Sequence, residues 1–234
     1  MKWRSLPESG PYSDTRPLAE QLAERQALAE RYVPPETRAV HARVVDQLRE
    51  AKLAEGALAV GAIAPEFALA DCDGAVISSR DLLASGPLVL MFFRGRWCPF
   101  CVGQMEAMNF LSPAFADIGA SLVAISPQTV KQNYLMRDQH HLRFPVLSDA
   151  GYAVARQFGI LYRVPEEQQQ VYSSVFVNLP FVNGDRKGEE RWELPIPATF
   201  VLDRDRTVLW GSANEDYTRR PEPADILRFL ESLQ

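Results

Sequence analysis

The chain has few cysteines and lacks any long apolar run. Three cysteines in 234 residues are too few, and odd in number, for the disulfide framework of a small secreted protein. No stretch reaches the roughly 18 consecutive apolar residues of a membrane-spanning helix. The N-terminal segment MKWRSLPESG has no apolar core after its basic residues, so it is not a secretory signal. These absences predict a cytoplasmic protein with no membrane partner.

An excess of basic residues is also lacking. The chain carries 25 Lys and Arg against 30 Asp and Glu, for a formal net charge of −5. Such a balance gives no indication of a nucleic acid or an anionic membrane as partner. Apolar residues make up 47% of the chain, enough to bury the core of one large domain or of a domain with an appendage.

The N-terminal region differs in texture from the rest of the chain. Residues 16–56 are rich in helix formers, and the adjacent Pro34 and Pro35 divide them into two predicted amphipathic helices. We therefore divide the chain into an N-terminal helical extension, 1–58, and a main domain, 59–234. The two helices form either a hairpin packed on their own domain or a dimer arm.

The main domain alternates short strands with helices. Apolar runs at 87–93 and 120–126 predict strands buried on both faces, and a helix is predicted over 99–117. A strand pair with a tight turn and a final amphipathic helix close the chain. This pattern predicts an α/β fold with a central mixed β-sheet flanked by helices. Residues 163–195 show no clear period and are predicted to form an insertion between core elements.

Two of the three cysteines, Cys98 and Cys101, lie in the motif RWCPFC at the predicted start of the helix over 99–117. Free backbone N–H groups and the helix dipole stabilise a thiolate at such a position. Arg94 and Arg96 would add positive charge if their side chains turn inward. The two-residue spacer lets the sulfurs form and break a disulfide, and C-x-x-C near a βαβ pattern is typical of a redox pair.

Other uses of the cysteine pair fit less well. A structural zinc site needs four ligands, and neither Cys72 nor the three histidines supply them at suitable spacing. Structural disulfides are rare in the cytosol. We therefore predict a redox site that needs no metal and no cofactor. Within the motif, Pro99 suits the first helical turn, and Trp97 is placed either to shield a thiolate or simply to pack.

Several segments resemble one family. They are GAIAPEFALADCDGAVISSRDL (61–82), PLVLMFFRGRWCPFC, LVAISPQT, FPVLSDAGYAVARQFGI and PATFVLDRDRTV. In this order they are similar to the peroxiredoxin family that includes alkyl hydroperoxide reductase and thiol-specific antioxidant proteins. The resemblance covers about 59–234 except the insertion. It implies a thioredoxin-like fold, a peroxide or disulfide substrate and a thioredoxin-like or other dithiol reductant, and it allows a homodimer.

The resemblance departs from the family's pattern at the site itself. Cys101 falls on the peroxidatic position, whereas Cys98 replaces a Thr and Arg94 a Pro. The family's late peroxide-binding Arg would fall on Pro197. A proline at this position is instead similar to the pattern of thioredoxins, in which a cis-proline faces the C-x-x-C pair and the substrate. The candidates for a replacement Arg are Arg137 and Arg163.

Either pattern ends in a Cys98–Cys101 disulfide, but the first sulfur to react differs. In the peroxiredoxin pattern Cys101 attacks a peroxide and Cys98 condenses with its sulfenic acid. In the thioredoxin pattern Cys98 attacks a disulfide and Cys101 resolves. The sequence thus favours a thiol peroxidase reducing hydrogen or organic peroxides, with a dithiol–disulfide oxidoreductase as the alternative. A third interpretation is a redox-sensing interaction protein.

Overall fold

The computed structural model describes residues 13–185 and 190–233. Its helices are, in chain order, α1 (Leu18–Tyr32), α2 (Pro35–Glu50), α3 (Ser79–Ala84), α4 (Pro99–Asp117), α5 (Val130–Gln139), α6 (Ala153–Gln157), α7 (Glu166–Ser174), α8 (Leu179–Val182) and α9 (Pro223–Glu231). Its strands are β1 (Ala68–Ala70), β2 (Val76–Ser78), β3 (Leu88–Phe92), β4 (Ser121–Ser126), β5 (Val146–Ser148), β6 (Leu161–Arg163), β7 (Glu193–Pro195), β8 (Ala198–Leu202) and β9 (Val208–Ala213). Within these ranges no helix is both long and apolar enough to span a bilayer.

A mixed sheet forms the centre of the main domain. Its strand order is β2-β1-β5-β4-β3-β8-β9. Strands β3, β4 and β5 are parallel, β8 is antiparallel to β3, and β9 is antiparallel to β8. Strand β3 is buried along its whole length. Its alternate residues Val89 and Met91 enter one core, whereas Leu88, Leu90 and Phe92 enter the core on the other face. This architecture confirms the predicted α/β class with helices on both faces of a mixed sheet.

The helix that carries the cysteines begins where the sequence predicts. Pro99 occupies the first position of α4, where a missing N–H costs nothing. Helix α1 of the extension packs directly on α4. A Cβ added at Gly103 would lie 3.1 Å from Arg25 Cζ and 3.1 Å from Leu22 Cδ2, so glycine permits this close approach. The extension therefore lies against the redox helix of its own chain.

The region 163–195 contains regular structure that its sequence period does not reveal. It includes α7 and α8, and its last strand, β7, pairs antiparallel with β6 in a separate two-stranded sheet. Helix α7 packs against α2 of the extension. These elements bring residues of the insertion and of the extension to the same side of the main domain.

Candidate active site

The two cysteines of the motif occupy the first turn of α4. Cys98 is the N-cap residue, with extended backbone angles, and Cys101 lies three positions further along the helix. Both are free thiols, and their exposed fractions are only 1% and 0%. The strand-to-helix junction thus delivers both sulfurs into the protein interior, where every charge near them acts with little screening by solvent.

An arginine from the loop after β9 contacts Cys101. Arg220 Nη2 lies 3.4 Å from Cys101 Sγ. Its guanidinium is held by Gln104, whose Oε1 accepts from Nε at 2.8 Å, and by the carbonyls of Tyr217 and Arg219, which accept from Nη1 at 2.5 Å and 2.6 Å. Gln104 lies one turn after Cys101 on α4, so one helix face carries both the sulfur and the group that orients its arginine.

A second arginine lies beside Cys98. Arg94 Nη1 is 3.9 Å from Cys98 Sγ, and its Nη2 donates to the hydroxyl of Tyr172. The guanidinium also lies over three rings, 5.0 Å from the centroid of Trp97, 6.0 Å from that of Tyr172 and 4.4 Å from that of Tyr217. With an exposed fraction of 2%, Arg94 is a buried cation held by aromatic faces and a phenol.

These surroundings shift the pKa values of the two thiols in opposite directions. Burial opposes ionisation of Cys101, but a hydrogen bond from Cys98 and the charges of Arg220 and Arg94 outweigh it and lower its pKa to about 5. For Cys98, burial, the hydrogen bond to Cys101 and the negative charge on that sulfur raise the pKa well above its ordinary value. The surroundings therefore favour a negative charge on Cys101 and oppose one on Cys98.

The extension contributes a histidine to the wall of the site. The ring of His41, on α2, lies 5.7 Å from the rings of both Tyr172 and Tyr217, and its Nδ1 is 3.0 Å from Gln168 Nε2. Burial and the nearby charge of Arg94 lower its pKa to about 4. His41 is therefore a neutral ring at neutral pH and adds no charge to the site.

Trp97 and Pro99, both half-buried, lie between the cysteines and the surrounding helices. The Trp97 ring meets Tyr172 edge to face at 5.1 Å. It fits only because Gly95 has no side chain: at φ +147° an added Cβ would lie 2.5 Å from Trp97 Nε1. The Pro99 carbonyl accepts from Arg25 Nη1 at 2.5 Å, a contact that ties α1 to the first turn of α4.

A cavity of about 130 Å³ lies beside Arg220. Pro197, Thr199 and Ser212 line it together with that arginine, which itself contacts Cys101. Pro197, for which the sequence predicts a place facing the cysteine pair and the substrate, lines this cavity beside Arg220. Its peptide bond is trans, as are all peptide bonds of the described residues. The cis-proline of the thioredoxin pattern is absent from this part of the chain, so that resemblance ends at the residue type.

Three other predicted arginines lie elsewhere. The guanidinium of Arg96 turns to α5, where its Nε donates to Gln132 Oε1 at 2.6 Å. Arg137 pairs with Asp73 at 2.6 Å, and Arg163 is exposed on β6. Of the two motif arginines only Arg94 bonds a cysteine, and neither Arg137 nor Arg163 takes the place of the missing family Arg.

The sequence did not point to most of the residues that surround the two cysteines. The residues it did not single out are His41, Gln104, Tyr172, Tyr217 and Arg220. Arg220 belongs to DYTRRPEP, a polar stretch with no period or motif, and 119 positions separate it from Cys101. Among residues 13–185 and 190–233, no group of three or more His, Cys, Asp or Glu is placed to hold a metal ion.

A buried C-x-x-C pair with one stabilised thiolate, at the start of a helix that follows a fully buried strand of a mixed sheet, defines a thiol-dependent oxidoreductase. The family follows from residues 60–210, which match the model of the AhpC/TSA family. Because this match spans more than half of the chain, the protein belongs to that family.

Individual relatives include both kinds of thiol enzyme. The chain is 31% identical over 179 residues to the thiol-disulfide oxidoreductase ResA of Geobacillus thermodenitrificans, covering 76% of this chain and 80% of the relative. It is 29% identical over 158 residues to ResA of Bacillus thuringiensis, covering 66% and 70%. The crystal structure of peroxidoxin BcpB from Mycobacterium tuberculosis superposes with a TM-score of 0.58 at 28% identity, covering 75% of this chain and 97% of that one.

These likenesses confirm the thioredoxin-like fold and the assignment to a thiol-based oxidoreductase. The peroxiredoxin 6 of Arenicola marina adds to the evidence for the fold, with a TM-score of 0.59 at 17% identity over 76% of this chain and 74% of that one. Peroxide reduction and disulfide exchange, the two activities predicted from the sequence, both occur among the named relatives.

Proposed function

We propose that the chain is a thiol peroxidase in which Cys101 is the attacking thiolate and Cys98 the resolving thiol. The observation that carries this proposal is the contact of Arg220 with Cys101 Sγ at 3.4 Å. It supplies positive charge to the second cysteine of the motif, which the peroxiredoxin pattern makes the nucleophile. In the thioredoxin pattern Cys98 would be the nucleophile, and its own arginine contact, with Arg94 Nη1, is longer at 3.9 Å.

The first step consumes the peroxide. The Cys101 thiolate attacks one peroxide oxygen, an S–O bond forms and the O–O bond breaks, leaving a sulfenic acid on Cys101. The departing oxygen carries the negative charge and takes a proton from water. Arg220 sits where the charge moves from sulfur to oxygen, and the cavity bordered by Thr199 and Pro197 gives a small peroxide a place beside it.

The second step forms the disulfide. The Cys98 sulfur attacks the sulfur of the Cys101 sulfenic acid, the S–S bond forms and the hydroxyl leaves as water with the Cys98 proton. Cys98 is the N-cap residue of α4 and Cys101 lies in its first turn, so the two sulfurs are close enough for this attack. An external thiol then reduces the disulfide and returns the site to its starting state.

The test is stopped-flow oxidation of the reduced protein by hydrogen peroxide, followed by tryptophan fluorescence and by trapping of sulfenic acid. Cys98→Ser should keep the fast reaction and accumulate a sulfenic acid, whereas Cys101→Ser should lose the fast reaction. Cys72→Ser serves as the control, because that cysteine is buried and hydrogen-bonded to the Val146 carbonyl. Fast reaction that depends on Cys98 instead would overturn the assignment.

A second candidate function is dithiol–disulfide exchange with protein or small-molecule disulfides. The C-x-x-C spacing of Cys98 and Cys101 and the 31% identity to a thiol-disulfide oxidoreductase support it. In that case reduced protein would react slowly with peroxide but rapidly with a model disulfide, and the rapid reaction would depend on Cys98. Running both oxidants on the same variants separates the two functions.

A further inference from the structure

The two sulfurs share one negative charge but face two buried or half-buried cations. Arg94 contacts Cys98 at 3.9 Å and Arg220 contacts Cys101 at 3.4 Å. Neither guanidinium pairs with a carboxylate among residues 13–185 and 190–233. The partners of Arg94 are a phenol, aromatic faces and the sulfur, and those of Arg220 are an amide, two carbonyls and the sulfur.

The neighbouring histidine does not change this balance. His41, 5.7 Å from the Tyr172 and Tyr217 rings that surround Arg94, is neutral and brings no negative charge. A buried cation without an anion is costly, because desolvation is not offset by an ion pair. Glu215 lines a cavity together with Arg94, but its carboxylate accepts a hydrogen bond from the backbone N–H of Ala54. Among the described residues, the thiolate of the reduced site is the anion that contacts Arg220.

Oxidation removes that anion. In the dithiol state the Cys101 thiolate interacts favourably with Arg220 and Arg94. In the disulfide state both sulfurs are neutral, and the two guanidinium groups keep their charge but lose the anion that they contact. The arginines therefore stabilise the reduced form selectively, and a redox pair whose reduced form is stabilised has a more oxidising disulfide.

We propose that Arg94 and Arg220 make the Cys98–Cys101 disulfide strongly oxidising, so that a small monothiol reduces it without a dedicated dithiol protein. This inference rests on the proposed cycle and names the chemical class of its reductant. Two molecules of the monothiol give up one proton and one electron each. The first forms a mixed disulfide with one cysteine, the second displaces that cysteine, and the products are the reduced site and one molecule of monothiol disulfide.

The experiment is a redox titration of the whole chain with glutathione as the probe. The protein is equilibrated at pH 7 in mixtures of reduced and oxidised glutathione, and no peroxide is present. Free thiols are then alkylated and the Cys98–Cys101 peptide is counted by mass in both states. Arg94→Met and Arg220→Met are compared with the parent, with Arg220→Lys as a charge-preserving variant and Arg80→Met as an exposed control.

The parent disulfide should be mostly reduced by glutathione alone. Each Arg→Met substitution should lower the equilibrium constant for reduction about tenfold, equivalent to about 30 mV for this two-electron couple. Arg220→Lys should stay near the parent, and Arg80→Met should not differ from it. Retention of the parent value in both Met variants, or a parent disulfide that glutathione leaves oxidised, would overturn the proposal.

The outcome is separable from that of the peroxidase test. If the reduced parent reacts slowly with peroxide but shows the shifted equilibrium, the peroxidase function fails and the oxidising disulfide stands. If the reduced parent reacts rapidly with peroxide but neither Arg→Met substitution changes the equilibrium constant for reduction, the peroxidase function stands and the oxidising disulfide fails. Should Arg94→Met fail to fold, the comparison of Arg220→Met with Arg220→Lys decides the matter, because Arg220 is only half-buried.

Discussion

Arg220 Nη2 lies 3.4 Å from the sulfur of Cys101, although 119 positions separate the two residues along the chain. The contact supplies the positive charge that the family's late arginine supplies elsewhere, from the loop after β9 rather than from the residue before β8. That position is occupied by Pro197, which lines the same cavity as Arg220. The chain therefore has a cation beside Cys101 while carrying a proline where the peroxiredoxin pattern has its arginine.

The rate of peroxide reduction should follow the ionisation of Cys101. Because the pKa of this thiol is about 5, the second-order rate constant should be constant near neutral pH and fall as the pH drops through about 5. The measurement is stopped-flow kinetics of the parent across this range. A rate that keeps rising above pH 8 or so, near the pKa of an ordinary cysteine, would contradict the assignment of the thiolate to Cys101.

Removal of the Arg220 charge should raise the pKa of Cys101. An opposite charge at this distance lowers a pKa by about one to three units, so Arg220→Met should raise the midpoint by about one unit or more. Ultraviolet absorbance of the thiolate, recorded in a Cys72→Ser background, reports the midpoint. Arg220→Lys is the matched control and should shift the midpoint less, since it keeps the charge but loses the fixed fork of donors.

His41 should make stability depend on pH below neutrality. Its pKa falls from 6.5 to about 4 on folding, so the unfolded chain binds the proton first. The stabilisation is present above pH 6.5 and is lost as the pH falls from 6.5 towards 4, by about 2 to 3 kcal/mol. Urea unfolding of the parent and of His41→Gln at pH 7 and pH 4.5 or so measures it. Equal pH dependence in both proteins would rule out this role.

Gly95→Ala should destabilise the protein more than a glycine substitution at an open turn. The added Cβ would lie 2.5 Å from Trp97 Nε1, and φ +147° is strained for alanine. We expect a loss of about 3 kcal/mol, with a changed tryptophan fluorescence spectrum. Gly74→Ala is the control: its φ is +85° but nothing lies within 4 Å, so about 1 kcal/mol is expected. Similar losses at both glycines would show that Trp97 moves aside freely.

Arg25 should anchor the extension to the redox helix. Its Nη2 pairs with Glu106 Oε2 at 3.0 Å, and the carboxylate is only 1% exposed. Because Arg25→Met leaves a buried carboxylate with one cation fewer, it should lower the free energy of unfolding by about 3 kcal/mol. Arg16→Met, which removes exposed pairs with Asp14 and Glu24, should have a much smaller effect, because solvent screens those pairs. Equal effects in denaturant unfolding would mean that the buried pair adds nothing.

Short-range sequence patterns determined the strand and the helix that hold the two cysteines. An apolar run predicted β3, Pro99 marked the start of α4, and the observed helix covers the predicted 99–117. Spacing alone placed the two cysteines together in the first turn. These predictions succeed because burial periodicity, helix caps and short-range geometry are properties of neighbouring residues. The short strands β1 and β2 were not predicted, because three residues are too few to show an alternation of apolar and polar positions.

The tertiary structure alone decided which charged groups lie beside each sulfur. Cys98 and Cys101 lie in the same helix turn. Neither their spacing nor their position on the helix therefore strongly favours one of them as the thiolate. What separates them is the arginine beside each sulfur. Arg220, from near the end of the chain, contacts Cys101, whereas Arg94, from the loop before the helix, contacts Cys98 at a longer distance. Coulomb interactions in a buried site depend on distances that folding sets, and no local pattern encodes a distance across 119 positions.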